Sequence, residues 1–119
     1  MIKIIYYKDG CIYSKEAYEY LKNNDILISE ISIDRNKKDN IDEKKHYMNK
    51  YNYYTLPMIL YDDKLIGGYE ELMDINDTIK KIKLKNVNKK YYSKNIIPLI
   101  SKYTNFNYNE CLKLSLLLL

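Results

Sequence analysis

A chain of 119 residues, 46% hydrophobic and 30% charged, has the size and balance of one globular domain and little room for a second. Its net charge of +4 comes from lysines spread along the whole length, so no single basic element stands out as a nucleic-acid surface. No apolar run approaches the ~20 residues that span a bilayer, and the two cysteines near opposite ends make no disulfide framework. No basic, apolar and small-residue leader opens the chain, so a reducing, cytoplasmic compartment is expected, with neither membrane nor nucleic acid as partner. Fifteen Tyr stand against one Phe and no Trp, and Ala17 and Arg35 are the only residues of their types. Asn, Lys, Ile and Tyr share AT-rich codons. The bias therefore reflects the genome, and the tyrosines are not read as an aromatic binding surface.

Ile2 to Tyr7 is an almost unbroken apolar run, the pattern of a strand covered on both faces. Lys8-Asp9-Gly10 breaks it with a glycine turn. From Ile12 to Asn24 the period becomes helical, with Ala17, Tyr20 and Leu21 on one stripe. Ile26 to Ile33 is β-branched and strand-like, Asp34 to Asn40 a polar loop, and Ile41 to Tyr51 a second helix. Thr55 to Tyr61 reads as strand, with Pro57 acceptable near its start. Asp62-Asp63-Lys64 turns it into Leu65-Ile66, a hairpin. Beyond Gly67-Gly68, Leu72, Ile75, Ile79 and Ile82 recur at helical spacing.

The order β-α-β-α-β-β-α over residues 1–84 is that of an α/β domain. Its opening β-α-β unit requires a parallel pair, and the later hairpin adds antiparallel strands. A mixed four-stranded sheet flanked by helices follows, the thioredoxin-like arrangement. Residues 85–119 form an extension: a polar linker, a short helix over 95–103 containing Pro98, and a leucine-rich end from Tyr108. That end is expected to pack on its own domain or to join two copies as a homodimer.

Cys11 follows a strand and a glycine turn and opens a predicted helix. N–H groups in the first helical turn lack intrahelical partners, and a thiolate there sits at the positive end of the helix dipole. Lys8 adds a cation nearby. Such settings lower a thiol pKa of ~8.5 by ~1 to 5 units, so Cys11 reads as a nucleophile, although an isolated cysteine is as a rule a small buried hydrophobe. Cys111, beside Leu112 and Leu116, reads as a packing residue, the alternative being a resolving thiol. His46, the only histidine, falls in the middle of the second helix as a solvated residue, and no metal site is expected.

Lys8-Asp9-Gly10-Cys11-Ile12-Tyr13-Ser14 resembles the glutaredoxin active-site segment, in which a Lys precedes Cys-x-Tyr-Cys or Cys-x-Tyr-Ser. Thr55-Leu56-Pro57 resembles that family's Thr-Val-Pro, whose proline is cis, and Gly67-Gly68-Tyr69-Glu70-Glu71-Leu72 resembles its Gly-Gly-x-Asp-Asp-Leu. The resemblance covers residues 1–84. It implies a thiol-disulfide oxidoreductase with glutathione as co-substrate, acting on glutathionylated proteins or small disulfides. It casts Cys11 as nucleophile, with Tyr13 and Ser14 in support. Lys8, with Lys44 or Lys45, would meet the glycine carboxylate of glutathione, and Tyr13 would pack against the tripeptide. Leu56 would offer its backbone beside cis Pro57, with Thr55 supporting the loop. Gly68 and the N–H groups of Tyr69 and Glu70 would hold the γ-glutamyl carboxylate, and Glu70 or Glu71 its ammonium.

The departures carry information too. Ser14 replaces the second cysteine and leaves a monothiol route, and Ile12 replaces the common proline. Relatives with Cys-Gly-Phe-Ser carry a 2Fe–2S cluster between two subunits with glutathione as extra ligands. A glutathione-ligated cluster carrier is therefore an alternative function, although the Gly-Phe pair is absent here. A redox-inactive interaction protein whose tail covers the groove is another.

Overall fold

The computed structural model describes residues 1–84 and 89–118, with side chains described for 1–82 and 94–118. The elements are β1 (Ile2–Tyr7), α1 (Ile12–Asn23), β2 (Ile28–Ile33), α2 (Lys38–Tyr51), β3 (Met58–Tyr61), β4 (Lys64–Gly67), α3 (Tyr69–Leu84), α4 (Lys89–Tyr103) and α5 (Tyr108–Leu118). By its internal contacts the chain forms two compact units, Met1–Tyr69 and Glu70–Leu119.

The first unit holds the sheet, in the order β2-β1-β3-β4. β1 runs parallel to β2, with Ile5 opposite Ile31 and Tyr7 opposite Ile33. It runs antiparallel to β3, with Ile5 opposite Met58, and β3 pairs antiparallel with β4. Parallel neighbours need a crossover, and α1 supplies it. Side chains alternate across a strand, so β1 divides its residues between two covered faces. Ile5 and Tyr7 join Ile33, Leu56, Met58 and Leu60 in a core that Tyr47, Met48 and Tyr51 of α2 pack against. The opposite face carries Ile2, Ile4 and Tyr6. There Tyr6 stacks on Tyr18 of α1 at 4.9 Å between centroids, while Ala17 and Leu21 are buried. Each fully buried Ile or Leu contributes about 1.5–3 kcal/mol, which is why the continuous run of β1 lies inside the sheet.

Glycine is scarce, and Asx residues take the left-handed positions instead. Asp25 (φ 56°), Asn52 (φ 51°), Asp62 (φ 47°) and Asp63 (φ 63°) all adopt positive φ, tolerable because a short polar side chain can bond locally. Asp25 closes α1: its N–H bonds Lys22 O and the next N–H, of Ile26, reaches back to Leu21 O, the Schellman pattern. Asn52 ends α2, with the Tyr53 N–H on Met48 O at 3.1 Å. Asp62 and Asp63 form the two-residue hairpin turn, where positive φ at both positions matches the twist of the strands.

Several boundaries differ from the sequence expectation: β2 starts at Ile28 rather than Ile26, β4 at Lys64 rather than Leu65, and α4 at Lys89, inside the expected linker, rather than at Asn95. Two further shifts have local causes. α2 starts at Lys38 rather than Ile41, because the loop is tied early. The Asn36 N–H bonds the Asp34 carboxylate, and the Asp34 N–H bonds Asn40 Oδ1, each at 2.9 Å. β3 starts at Met58 rather than Thr55, since Pro57 has no N–H to give a ladder.

The second unit is helical. Leu72, Ile75, Ile79 and Ile82 of α3 are buried, as their spacing predicts, and so are Ile96, Ile100, Cys111, Leu114 and Leu118. α4 and α5 pack on each other. α4 starts at Lys89 and carries Pro98 in its interior. α5 opens with a reciprocal capping pair: the Glu110 N–H donates to Asn107 Oδ1 at 2.9 Å, and the Asn107 N–H to Glu110 Oε1 at 3.2 Å. No helix among the described residues is long and apolar enough to cross a membrane.

Candidate active site

Tyr7 ends β1, and the next N–H, of Lys8, still bonds Ile33 O at 2.9 Å. The chain then turns at Gly10, whose φ of +77° excludes most side chains although a Cβ there would meet nothing within 4 Å. Glycine is needed for its backbone here, not for space. That turn delivers Cys11 in an extended conformation at the N-cap of α1, its carbonyl accepting the first helical bond from the Lys15 N–H. The thiol is partly exposed. Ser14, one turn on, is completely buried, and its Oγ accepts the Tyr7 N–H at 3.1 Å. With that lone pair engaged, its proton is free for the sulfur. Burial pushes the Cys11 thiol up, but the N–H and hydroxyl of Ser14, the N–H of Tyr13 and the charge of Arg35 outweigh it and hold the thiol below its ordinary value.

Arg35 is the residue that sequence reasoning missed. It follows β2 by two positions, and its guanidinium carbon lies 3.8 Å from the centroid of the Tyr7 ring, a cation–π contact. Lys44 of α2 approaches the same tyrosine, its Nζ donating to the hydroxyl at 3.4 Å. Of the two lysines expected from α2, Lys44 therefore faces this end of β1, and Lys45 is exposed. Lys8 is exposed as well. A signal for Arg35 existed: in a chain whose other nineteen basic residues are lysine, a single arginine at a strand end stands out.

The other wall is aromatic. Tyr13 is 56% exposed, and its ring meets that of Tyr69 at 5.0 Å between centroids. The Tyr69 hydroxyl donates to Glu16 Oε2 at 2.6 Å, which fixes the ring against α1. Beside it, a Cβ on Gly68 would fall 2.3 Å from the Tyr53 hydroxyl and 3.0 Å from Pro57 O, so only glycine lets these segments meet. The Leu56–Pro57 bond is cis, with Leu56 and Pro57 buried and Thr55 exposed. Contacts thus run from the Cys11 turn through Tyr13 and Tyr69 to Gly68 and the Pro57 loop. Glu70 and Glu71 lie in the first turn of α3 and open the second unit.

Cys111 is fully buried, its sulfur 3.5 Å from Ser101 Oγ. His46 is exposed on α2 with its ring against Tyr47. No group of three or more His, Cys, Asp or Glu among the described residues could hold a metal ion.

A mixed sheet entered through a β-α-β unit, with a cis-proline ahead of its hairpin, places the molecule in the thioredoxin-like class. Within that class the match is specific. The glutaredoxin family model covers residues 4–66, more than half of the chain, and the chain belongs to the glutaredoxin family. It is 29% identical over 73 residues to Glutaredoxin 1 of Rickettsia bellii (strain RML369-C), a stretch that is 61% of this chain and 74% of that protein. Family membership carries thiol-disulfide oxidoreductase activity.

Proposed function

We propose that the protein is a glutathione-dependent oxidoreductase that reduces glutathione mixed disulfides by a monothiol route, with Cys11 as nucleophile. The observation that carries this reading is a partly exposed thiol, held below its ordinary pKa at the start of α1, with a serine at the position of a second cysteine. In the first step the Cys11 thiolate attacks the glutathione sulfur of a protein–glutathione disulfide. A new Cys11–glutathione disulfide forms, and the substrate leaves as a thiolate that takes a proton from water. In the second step a glutathione thiolate attacks that mixed disulfide, releasing glutathione disulfide and regenerating the Cys11 thiolate. One free glutathione thiol is oxidised as it joins the transferred glutathione in a disulfide, and the substrate's cysteine sulfur is reduced to a thiol. Ser14 cannot form a disulfide, so it contributes a hydrogen bond to the anion rather than a second redox equivalent. A thiol of lowered pKa suits both steps, as attacking group in the first and leaving group in the second.

Glutathione brings carboxylates, an ammonium and a peptide backbone. Lys8, Arg35 and Lys44 supply cations for its glycine carboxylate, Arg35 with the planar fork that pairs such a group bidentately. Leu56 supplies backbone groups beside Pro57, in the manner of an added strand, with Thr55 at the loop's exposed shoulder. Tyr13, Tyr69 and Gly68 form the wall along which the tripeptide lies. The test is glutathione-dependent reduction of a small glutathionylated disulfide by the wild type, Cys11→Ser and Cys111→Ser. Turnover is expected in the wild type and Cys111→Ser and to vanish in Cys11→Ser. A wild type without turnover overturns the reading.

A further inference from the structure

An open groove of about 680 Å³ reaches Cys11 along α1, lined by Tyr6, Lys8, Asp9, Ile12, Lys15 and Tyr18 among others. Tyr13, Leu56, Pro57 and Tyr69 take no part in its wall, so beyond Cys11 and Lys8, which it shares with the surface assigned to glutathione, it is a separate surface. Cys11, Lys15, Tyr18 and Lys22 recur at spacings of four, three and four, one face of the helix. The groove therefore begins at the reacting sulfur and runs along α1 beside β1. Its floor is apolar: Tyr6 and Tyr18 stack with an interplanar angle of 23°, and Ile12 is 63% exposed.

Its rim is cationic. Lys8 and Lys15 make no ion pair among the described residues, whereas Lys22, a turn beyond Tyr18 along α1 and outside the groove's lining, is paired with Glu30 at 3.3 Å. Asp9 is the one carboxylate in the wall, which holds Lys15, a cation the glutathione surface does not use, and Lys8, which the two surfaces share. An apolar floor with a positive rim fits an extended peptide that has both apolar and acidic side chains, and pocket volumes of this size are those of bound ligands. The tripeptide alone does not need this surface. The remainder of a protein substrate, which must lie close to Cys11 when its disulfide is attacked, does.

We propose that this groove docks the polypeptide flanking the glutathionylated cysteine of a protein substrate and selects segments with carboxylates close to that cysteine. The proposal rests on the thiol chemistry above and adds the substrate class. It is tested with two glutathionylated peptides of one length, with Glu or with Lys on both sides of the cysteine, and with a small glutathionylated disulfide as reference. The wild type is expected to show a kcat/KM about fivefold higher for the Glu peptide, the scale of one or two exposed ion pairs. The preference is expected to vanish at ~1 M salt, where the Debye length falls to ~3 Å. Lys15→Glu, an exposed position outside the glutathione wall, is expected to abolish or invert the preference and to leave the small disulfide unchanged. Equal kcat/KM for the two peptides, or an unaltered preference in Lys15→Glu, overturns the docking proposal alone. Absence of turnover with the small disulfide overturns the thiol-transfer reading and the docking proposal with it.

Discussion

Ser14 does two things at once, and its substitution separates them. Its oxygen accepts the Tyr7 N–H, and its N–H and hydroxyl stabilise the Cys11 thiolate. Ser14→Ala strands a backbone donor in a buried site, at a cost of ~1–3 kcal/mol, and withdraws one donor from the sulfur. The expected outcome is a lower melting temperature together with a Cys11 alkylation midpoint moved to higher pH. A variant that loses stability with the midpoint unmoved would remove the hydroxyl from the chemistry. The pKa of Cys11 is lowered by folding, so its ionised form stabilises the native state above the ordinary thiol range. That contribution is lost as pH falls through the lowered value. At this scale the sequence was readable where a motif held the residue: Cys11, Tyr13 and Pro57 stand in the segments that announced them. Arg35 stands out as the lone arginine, but its partner, like that of Glu16, was not readable. Arg35 comes to Tyr7 from the far end of β2 and Glu16 to Tyr69 from α1, and both pairings depend on how strands and helices register in space.

Helix ends show the same division between local and distant information. Ile2–Tyr7, the α1 stripe and the Leu72–Ile82 spacing were legible because hydrophobic period is a local property. The early start of α2 was not, since it depends on Asp34 and Asn40 reaching across the loop. The capping pair at Asn107 and Glu110 was legible in principle, the polar residue three before a glutamate at the head of an apolar run. Asn107→Ala is expected to cost about 1 kcal/mol, seen as a reduced melting temperature of the C-terminal helices. Unchanged melting would make the cap irrelevant to α5. Within the second unit, Tyr103 of α4 donates its hydroxyl to Asp74 of α3. That hydrogen bond, then burial and the charges of Asp74, Glu71 and Glu70, push the phenol up to about 12. An acid whose pKa is raised by folding stabilises below its unfolded value, ~10 for tyrosine, and loses that contribution as pH rises toward 12. Tyr103→Phe is therefore expected to destabilise these helices at neutral pH and to flatten their loss of helicity, followed by circular dichroism, across that alkaline window. An identical alkaline profile in Tyr103→Phe would contradict this.

For the molecule as a whole, the matched family region ends at Ile66, while α4 and α5 carry their own buried positions, Ile96, Ile100, Cys111, Leu114 and Leu118. The sequence foretold helices there but not how they pack. The leucine run spreads round α5, so Leu114 and Leu118 are buried while Leu116 and Leu117 are exposed, and no single stripe betrays the buried side. The two cysteines divide along the same line: Cys111 is enclosed and Cys11 partly open. Chemistry in this protein is thus assigned to one sulfur, and the other belongs to a helical interior.

Alkylation of native protein by iodoacetamide, followed by mass spectrometry across acid to alkaline pH, reads that assignment directly. Modification of Cys11 alone is predicted, with a rate that rises through a midpoint below the ~8.5 of a free thiol. A midpoint at or above that value, or a Cys11 that reacts only after denaturation, would contradict the account.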